Sequence, residues 1–267
     1  MLRRSVQSQL VRNDLRADLI HNYIMREDFA LIPVIDLKDG GVVHARAGKR
    51  ADYRPLETPF GLADDPVAIA RALLAVTDSP ILYVADLDAI AGTGHHFDLC
   101  RELDTTFPAV TLWIDAGFSN VTDCAFWLPL GATLVIGSES LATLGAWKDI
   151  HASFGRSVVL SLDFEGESLR GEGALLADPS FWPDRLIAID LDRVGTGAGP
   201  NLDRLRSVIA LAGDRAIFAA GGIRDIRDIE QAAAAGASGV LLATALHSGA
   251  VTQNEIAVLQ QEQRSQS

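Results

Sequence analysis

From residue 31 onward, short runs of β-branched and aliphatic residues alternate with longer stretches whose apolar positions recur at helical spacing, and Gly and Asp collect in the connections. Eight runs read as strands: Leu31–Ile35, Ile81–Ala85, Val110–Ile114, Thr133–Ile136, Ser157–Leu162, Leu186–Ile189, Ala216–Ala219 and Gly239–Leu242. Several of the helices between them are marked by chemistry as well as by period. Asp65-Pro66 sets a capping carboxylate before a proline at the first helical position, and Ile69, Leu73 and Val76 then share one apolar face. Asp225 opens a helix whose Ile226, Ile229 and Ala233 point one way and which Gly236 closes; Thr252 and Glu255 form a capping box for the last helix. Eight strand–helix units in about 235 residues predict an α/β fold of the (βα)8 TIM barrel type rather than an open doubly wound sheet, and no GxGxxG or Walker A segment is present. The barrel is expected over residues 29–262. Residues 1–28 form an N-terminal extension, read as an arm without fixed structure, as an overlong start with Met25 the true beginning, or as an added helix bearing Leu19, Ile20 and Ile24.

The chain also repeats itself. Asp86-Leu87-Asp88 with Gly92-Thr93-Gly94 matches Asp190-Leu191-Asp192 with Gly195-Thr196-Gly197. Gly117, Asp123, Gly131-Ala132 and Val135 match Gly222, Asp228, Gly236-Ala237 and Val240 at an offset of 105 residues. Ile35-Asp36-Leu37 mirrors Leu162-Asp163-Phe164. The expectation is a two-fold half-barrel repeat, with the first and fifth strands on opposite walls.

That arrangement points to chemistry. In such barrels the reactive groups stand at the C-terminal ends of the strands. Asp36 and Asp163 end strands one and five, and two carboxylates across one pocket can divide acid and base work if their environments separate their pKa values. Ala220-Gly221-Gly222-Ile223 runs from strand seven into a helix, and Ala243-Thr244 ends strand eight; small residues there let main-chain amides approach a phosphate. At the mirror position Asp115 stands where a small residue would be, so the first half should not hold phosphate; Asp115 suits an amine, a hydroxyl, a cation or a third part in proton transfer. Asp86 and Asp190 either bind substrate hydroxyls or cap loop amides, Thr196 is a further substrate contact, and Asp88 and Asp192 are expected to stabilise the GTG turns. His95-His96 reads as an exposed loop pair, and Arg46, Lys49, Arg50 and Arg54 form a basic loop that either folds over an anionic substrate or is simply solvated. Only Lys38, Lys49 and Lys148 are lysines and none ends strand six or seven, so a Schiff-base mechanism has no well-placed amine.

Composition narrows the partners. At 267 residues with 48% hydrophobic positions the chain can close a sizeable core, and no run approaches the ~18 apolar residues of a membrane helix. A net charge of −12 argues against nucleic acid and membrane surfaces as partners. Cys100 and Cys124 lack metal or disulfide spacing, so no metal and no cofactor is expected, and a cytoplasmic location fits. The expected ligand is a small phosphorylated metabolite, and a homo-oligomer is left open.

Ile32-Pro33-Val34-Ile35-Asp36-Leu37 with Gly40 and Val43, Ser161-Leu162-Asp163, Asp192 with Gly195-Thr196, and Ala220-Gly221-Gly222-Ile223 together resemble the HisA/HisF histidine-biosynthesis barrels over about residues 30–260. The resemblance implies a (βα)8 fold and, through the isomerase branch, that Asp36 and Asp163 act as general base and acid in an Amadori rearrangement of an aminoaldose phosphate to an aminoketose. Four positions depart from that branch: Asp115 in the first glycine-rich turn, Ala243-Thr244 after strand eight, Ile189 in place of a threonine and Asn201 in place of an aspartate. The set HARAGKRADYRP, ADLDAIAGTG, IDAG, DRVGTGAGPN and LLATALHSG is more similar to the HisA/HisF-related subgroup of methanogenic archaea and methylotrophic bacteria, where Asp115 is an expected residue. That resemblance implies a place in tetrahydromethanopterin- or methanofuran-linked one-carbon metabolism.

The leading expectation is a cofactor-free acid/base isomerisation, or a related rearrangement, of a singly phosphorylated metabolite. The base and acid roles of Asp36 and Asp163 are interchangeable at this point. The alternatives are the histidine-pathway isomerase itself, a lyase or condensing enzyme acting on a pterin or furan precursor, and a barrel that binds ligand without catalysis.

Overall fold

The computed structural model describes residues 29–45 and 53–266; the N-terminal extension and Arg46, Lys49 and Arg50 of the basic loop lie outside the described residues. Eight parallel strands form the barrel: β1 (Ala30–Lys38), β2 (Ile81–Asp86), β3 (Thr111–Asp115), β4 (Thr133–Gly137), β5 (Val158–Glu165), β6 (Arg185–Asp190), β7 (Ala216–Ala220) and β8 (Gly239–Leu242). Each pairs with the next, and the ring closes where Ala30 to Pro33 of β1 run beside Gly239 to Leu242 of β8. Closure leaves no open edge among these strands. β1 and β5 lie four strands apart and therefore face each other. All eight strands coincide with runs picked out by hydrophobicity, most reaching one to three residues further. At the C-terminal ends the added residues include the polar or small Asp36, Lys38, Asp86, Asp115, Gly137, Asp163, Asp190 and Ala220, beside the buried Leu37 and Phe164.

Main helices follow the strands: α1 (Pro66–Thr77), α2 (Phe97–Thr106), α3 (Val121–Trp127), α4 (Leu144–Phe154), α5 (Ala174–Ala177), α6 (Leu202–Ala212), α7 (Ile226–Ala234) and α8 (Gln253–Gln266). Their starts are chemically fixed. The Asp65 carboxylate accepts from Ala68 N ahead of Pro66, and Asp225 accepts from the amides of Arg227 and Asp228. Thr252 Oγ1 accepts from Glu255 N while Glu255 accepts from Thr252 N, closing the expected capping box. In α1 the buried stripe is Ile69, Ala70, Leu73 and Thr77, with Val76 at its margin. In α7 the buried residues are Asp228, Ile229 and Ala232, with Ile226 and Ala233 half-buried beside them. No helix among the described residues is long and apolar enough to cross a membrane.

Two separate apolar layers result from the two-residue period of the strands. Residues such as Leu31, Ile35, Val84, Leu160 and Leu242 face outward under the helices. Ala30, Ile32, Val34, Tyr83, Trp113, Val159, Ile187, Phe218 and Leu241 face inward and fill the barrel. Trp113 and Phe218 meet edge to face at 5.1 Å between ring centres. Two hairpins not foreseen from hydrophobicity cover parts of the rim: Gly41–His44 pairs antiparallel with β1 and with Arg54–Pro55, and Ser168–Leu169 folds back on β5. They are too short for a periodicity signal.

Candidate active site at the barrel mouth

The inward parity of the strands decides which rim residues share a cavity. Asp36 follows Ile32 and Val34, Asp115 follows Trp113, and Asp163 follows Val159 and Ser161, so all three carboxylates continue the inner face beyond the apolar fill. They line one cavity of about 280 Å³ at the C-terminal ends of the strands. Gly221, Gly222, Ala243 and Thr244 line the same cavity.

Asp163 is 6% exposed and is fastened by three donors. Ser161 Oγ donates to Oδ1 at 2.7 Å, and Glu139 N and Ser138 Oγ donate to Oδ2 at 3.0 and 3.3 Å. Burial nevertheless pushes its carboxyl up to about 7; the Glu139 amide and the Ser161 hydroxyl oppose the shift, while the Asp115 and Glu139 charges add to it. Asp36 reaches about 7 as well, first through loss of hydration and then through the Asp115 charge. No hydrogen bond to its carboxylate forms among the described residues. Its surroundings are cavity and protein rather than bulk water.

Asp115 accepts from Tyr83 Oη at 3.2 Å and from Gly117 N at 3.2 Å. The main-chain donor that the first half could offer an anion is therefore already taken by a carboxylate. Burial, then Asp115, Asp163 and Asp36, hold the Tyr83 hydroxyl well above its usual range, so it stays a neutral donor among three carboxyl groups. Tyr83 was not singled out by motif reasoning. Its signal was parity: Ile81, Tyr83 and Ala85 are the inward positions of β2.

Across the cavity, Gly221 and Gly222 turn with φ of +93° and +87°. A Cβ on the first would strike the Asp190 carbonyl and on the second the Gly199 carbonyl, so both positions need glycine. The turn of residues Thr244–His247 after β8 borders this end, and His44 Nε2 lies 3.0 Å from Thr244 Oγ1. The helix following the glycine pair is less available than its sequence suggested. α7 begins four residues on, and its first-turn amides are occupied by the Asp225 carboxylate.

Three candidates stand away from the cavity. Asp86 has the outward parity of β2, is fully buried, and accepts from Ala89 N, His96 N and His96 Nδ1. Although burial acts upward, the His96 contacts hold its carboxyl below the usual range, and the same bond lifts His96 above its own. His96 is thus a partly buried strut rather than an exposed loop residue, since Gly40 N also donates to its Nε2 at 2.9 Å; His95 is exposed. Asp190, outward on β6, is bound by Asn201 Nδ2 at 2.9 Å and Arg204 Nη1 at 3.2 Å. Thr196 is exposed and its hydroxyl returns to the Arg193 carbonyl. The Asp88 and Asp192 carboxylates reach neighbouring turns, at Asp39 N and Gly166 N, while the GTG turn beside Asp88 is held by its main-chain carbonyl.

Arg170 and Glu139, unnoticed in the sequence, also line the cavity and pair at 3.4 Å. The Arg170 amide donates to the Asp163 carbonyl, and Gly171 next to it packs so tightly on Ser138 that a Cβ would overlap that carbonyl. The second hairpin therefore presses the turn that supplies two of the donors to Asp163.

Comparison with known proteins agrees with this architecture. Residues 30–177 and 183–252 match the sequence profile of the family described as histidine biosynthesis protein. An uncharacterized protein of Methanocaldococcus jannaschii is 30% identical over 229 residues, covering 85% of this chain and 96% of that protein. A 1-(5-phosphoribosyl)-5-((5-phosphoribosylamino)methylideneamino) imidazole-4-carboxamide isomerase of Cenarchaeum symbiosum is 30% identical, covering 83% and 96%. Phosphoribosyl isomerase A of Streptomyces coelicolor is 29% identical, covering 84% and 95%.

Proposed function

Because this chain belongs to the family of histidine biosynthesis proteins, we propose that it is an isomerase of that family which rearranges a small, singly phosphorylated aldose derivative by acid/base catalysis. The observation that carries the proposal is the pair Asp36 and Asp163 on facing strands of one cavity, both with carboxyl pKa values raised to about 7. Near neutral pH each member is about half protonated, so that one can take a proton from the substrate carbon skeleton while the other gives one to the ring or carbonyl oxygen. In the resting site the donors on Asp163 favour its ionised form, which leaves the shared proton on Asp36. The family resemblance assigns the base role to Asp36; the hydrogen bonds support the reverse, with Asp163 as base.

One phosphate, not two, follows from the unequal turns. The glycine pair after β7 and the small residues after β8 leave main chain approachable, whereas Asp115 repels an anion and occupies the Gly117 amide. We read matching contacts elsewhere as the trace of a half-barrel repeat on which this difference was imposed. Asn120 caps α3 through the amides of Thr122 and Asp123, as Asp225 caps α7 through those of Arg227 and Asp228. The Methanocaldococcus relative supports the subgroup reading; a substrate from tetrahydromethanopterin- or methanofuran-linked one-carbon metabolism is what the resemblance to that subgroup implies. Membranes and nucleic acid are no part of this reading.

The experiment is a panel of singly phosphorylated aldoses and aminoaldoses incubated with the purified chain and followed by ¹³C NMR for conversion of a C1 aldehyde or aminal to a C2 ketone. Asp36→Asn and Asp163→Asn should each lower turnover ~100- to 10,000-fold while phosphate-bearing ligand is still retained. Turnover untouched by both substitutions overturns the proposal. The second reading, the histidine-pathway isomerase, is favoured by the names of the Cenarchaeum and Streptomyces relatives, both isomerases. Growth of an isomerase-deficient histidine auxotroph on this chain would select it over the first.

A further inference from the structure

We infer that Arg170 is a positioning residue for the acid/base pair, acting on Asp163 through Glu139: it fixes the turn that holds the Asp163 carboxylate and balances the negative charge which that turn brings beside it. The inference rests on the reading of Asp163 as a member of the pair, and it adds a residue that no motif of the sequence marked.

Glu139 has two opposite effects on Asp163. Its amide donates to Asp163 Oδ2 at 3.0 Å, beside Ser138 Oγ at 3.3 Å, and such donors favour the carboxylate. Its side chain lines the same cavity and opposes ionisation of Asp163 by like charge. The approach is close, since a Cβ on Gly137, just before the turn of residues Ser138–Ser140, would stand 3.0 Å from Asp163 Oδ2. The turn therefore holds Asp163 well only if the Glu139 charge is offset.

Arg170 meets both needs from the second rim hairpin. Its amide donates to the Asp163 carbonyl at 2.7 Å, and Gly171, at φ +82°, lies directly against the Ser138 carbonyl, so the hairpin presses the turn onto β5. Its Nη1 lies 3.4 Å from Glu139 Oε2 and its Nε 3.7 Å from Glu165 Oε2. The Glu139 side chain is only 18% exposed, so this pair is less screened by water than an ordinary surface pair. The other groups around Asp163 do not supply that positive charge. Asp115 of β3 and Asp36 of β1 are acidic, Tyr83 of β2 is held neutral, and on β6 Asp190 is paired on the outward face with Arg193 and Arg204. Without the Arg170 guanidinium the Glu139 charge acts more strongly on Asp163, which then ionises at higher pH and is scarcer as a base below it.

The test is a ¹³C NMR titration of the full chain with aspartate labelled at its side-chain carboxyl carbon, the Asp163 signal being assigned by its loss in Asp163→Asn. Arg170→Met keeps the main-chain bond to Asp163 and the Gly171 contact. It should move the Asp163 titration up by about one pH unit, and Arg170→Lys by less than half as much. Glu139→Gln should move it down, and Arg170→Met added to Glu139→Gln should move it no further. Turnover on the acid side of the rate profile should fall about tenfold in Arg170→Met and recover in Arg170→Lys. An Asp163 titration unmoved by Arg170→Met, or moved as far in the Glu139→Gln background, overturns the inference. Arg170→Gln, which keeps polarity without charge, carries the same expectation should Arg170→Met not fold. The titration needs no substrate, so the two readings fail separately. Retained turnover in Asp163→Asn removes the acid/base reading, whereas an Asp163 titration indifferent to Arg170 removes this inference alone.

Discussion

The raised carboxyl groups of Asp36 and Asp163 link activity to pH with a definite sign. In the unfolded chain both titrate near 3.8, and in the folded protein near 7, so between these values the native state binds more protons. Their contribution to stability is fully present below about 4 and is lost as pH rises through about 7. Asp36→Asn, which cannot ionise, should therefore be more stable than the parent chain at pH 8, by something on the order of 1–3 kcal/mol in urea unfolding, and no more stable at pH 4. Turnover should follow a bell centred near pH 7, because both members hold protons well below that value and neither does well above it. A flat profile between pH 5 and 9 would contradict the shared proton. Tyr83→Phe removes the donor to Asp115 at 3.2 Å, and its rate profile should shift toward higher pH as the less solvated Asp115 charge acts on its neighbours. The alternation of β2 carries the inward position of Tyr83, which the motifs did not pick out, and its bond to Asp115 joins β2 to β3, so no one-dimensional pattern contains it. Asp86 and Asp190 teach the converse. As aspartates at strand ends they were open to binding substrate hydroxyls or to capping loop amides; they occupy outward positions and hold loops and helices in place.

Among the elements, the turns after the strands separate structural from functional demands. Gly222→Ala places a methyl group against the Gly199 carbonyl at φ +87°, so it should cost about 1–3 kcal/mol and abolish phosphate retention, measured by thermal shift with and without inorganic phosphate. Asp225→Ala should cost about 1 kcal/mol through loss of the α7 cap and leave the cavity intact, which distinguishes the capping role of that carboxylate from any part in ligand binding. Helix starts were readable because their determinants are local: Asp65, Asp225 and the Thr252–Glu255 box act on amides two or three residues away. The rim hairpins were not, since two-residue strands such as Ser168–Leu169 exist only through pairing with β5. The importance of Arg170, Gly171 and Glu139 was hidden for the same reason.

For the molecule as a whole, the unequal halves predict where an anion will bind at the mouth. A crystal grown with phosphate should show it beside Gly221, Gly222 and Thr244 and nothing beside Asp115 and Ala116; equal occupancy of the two positions would defeat the single-phosphate reading. The barrel itself was already determined by the sequence, because hydrophobic periods of two and of 3.6 residues, local caps and glycine at strongly constrained turns are properties of neighbouring residues. The opposition of strands one and five followed too, from counting eight units and closing the ring. What only the tertiary structure decided is which polar groups face one another: that Asp36, Asp115, Asp163 and Tyr83 share one cavity, that Asp86 belongs to His96, and that Arg185 is buried beside Trp113. Those outcomes depend on distances between strands far apart in the chain and on the loss of hydration that closure imposes, and both come into being only when the cylinder forms.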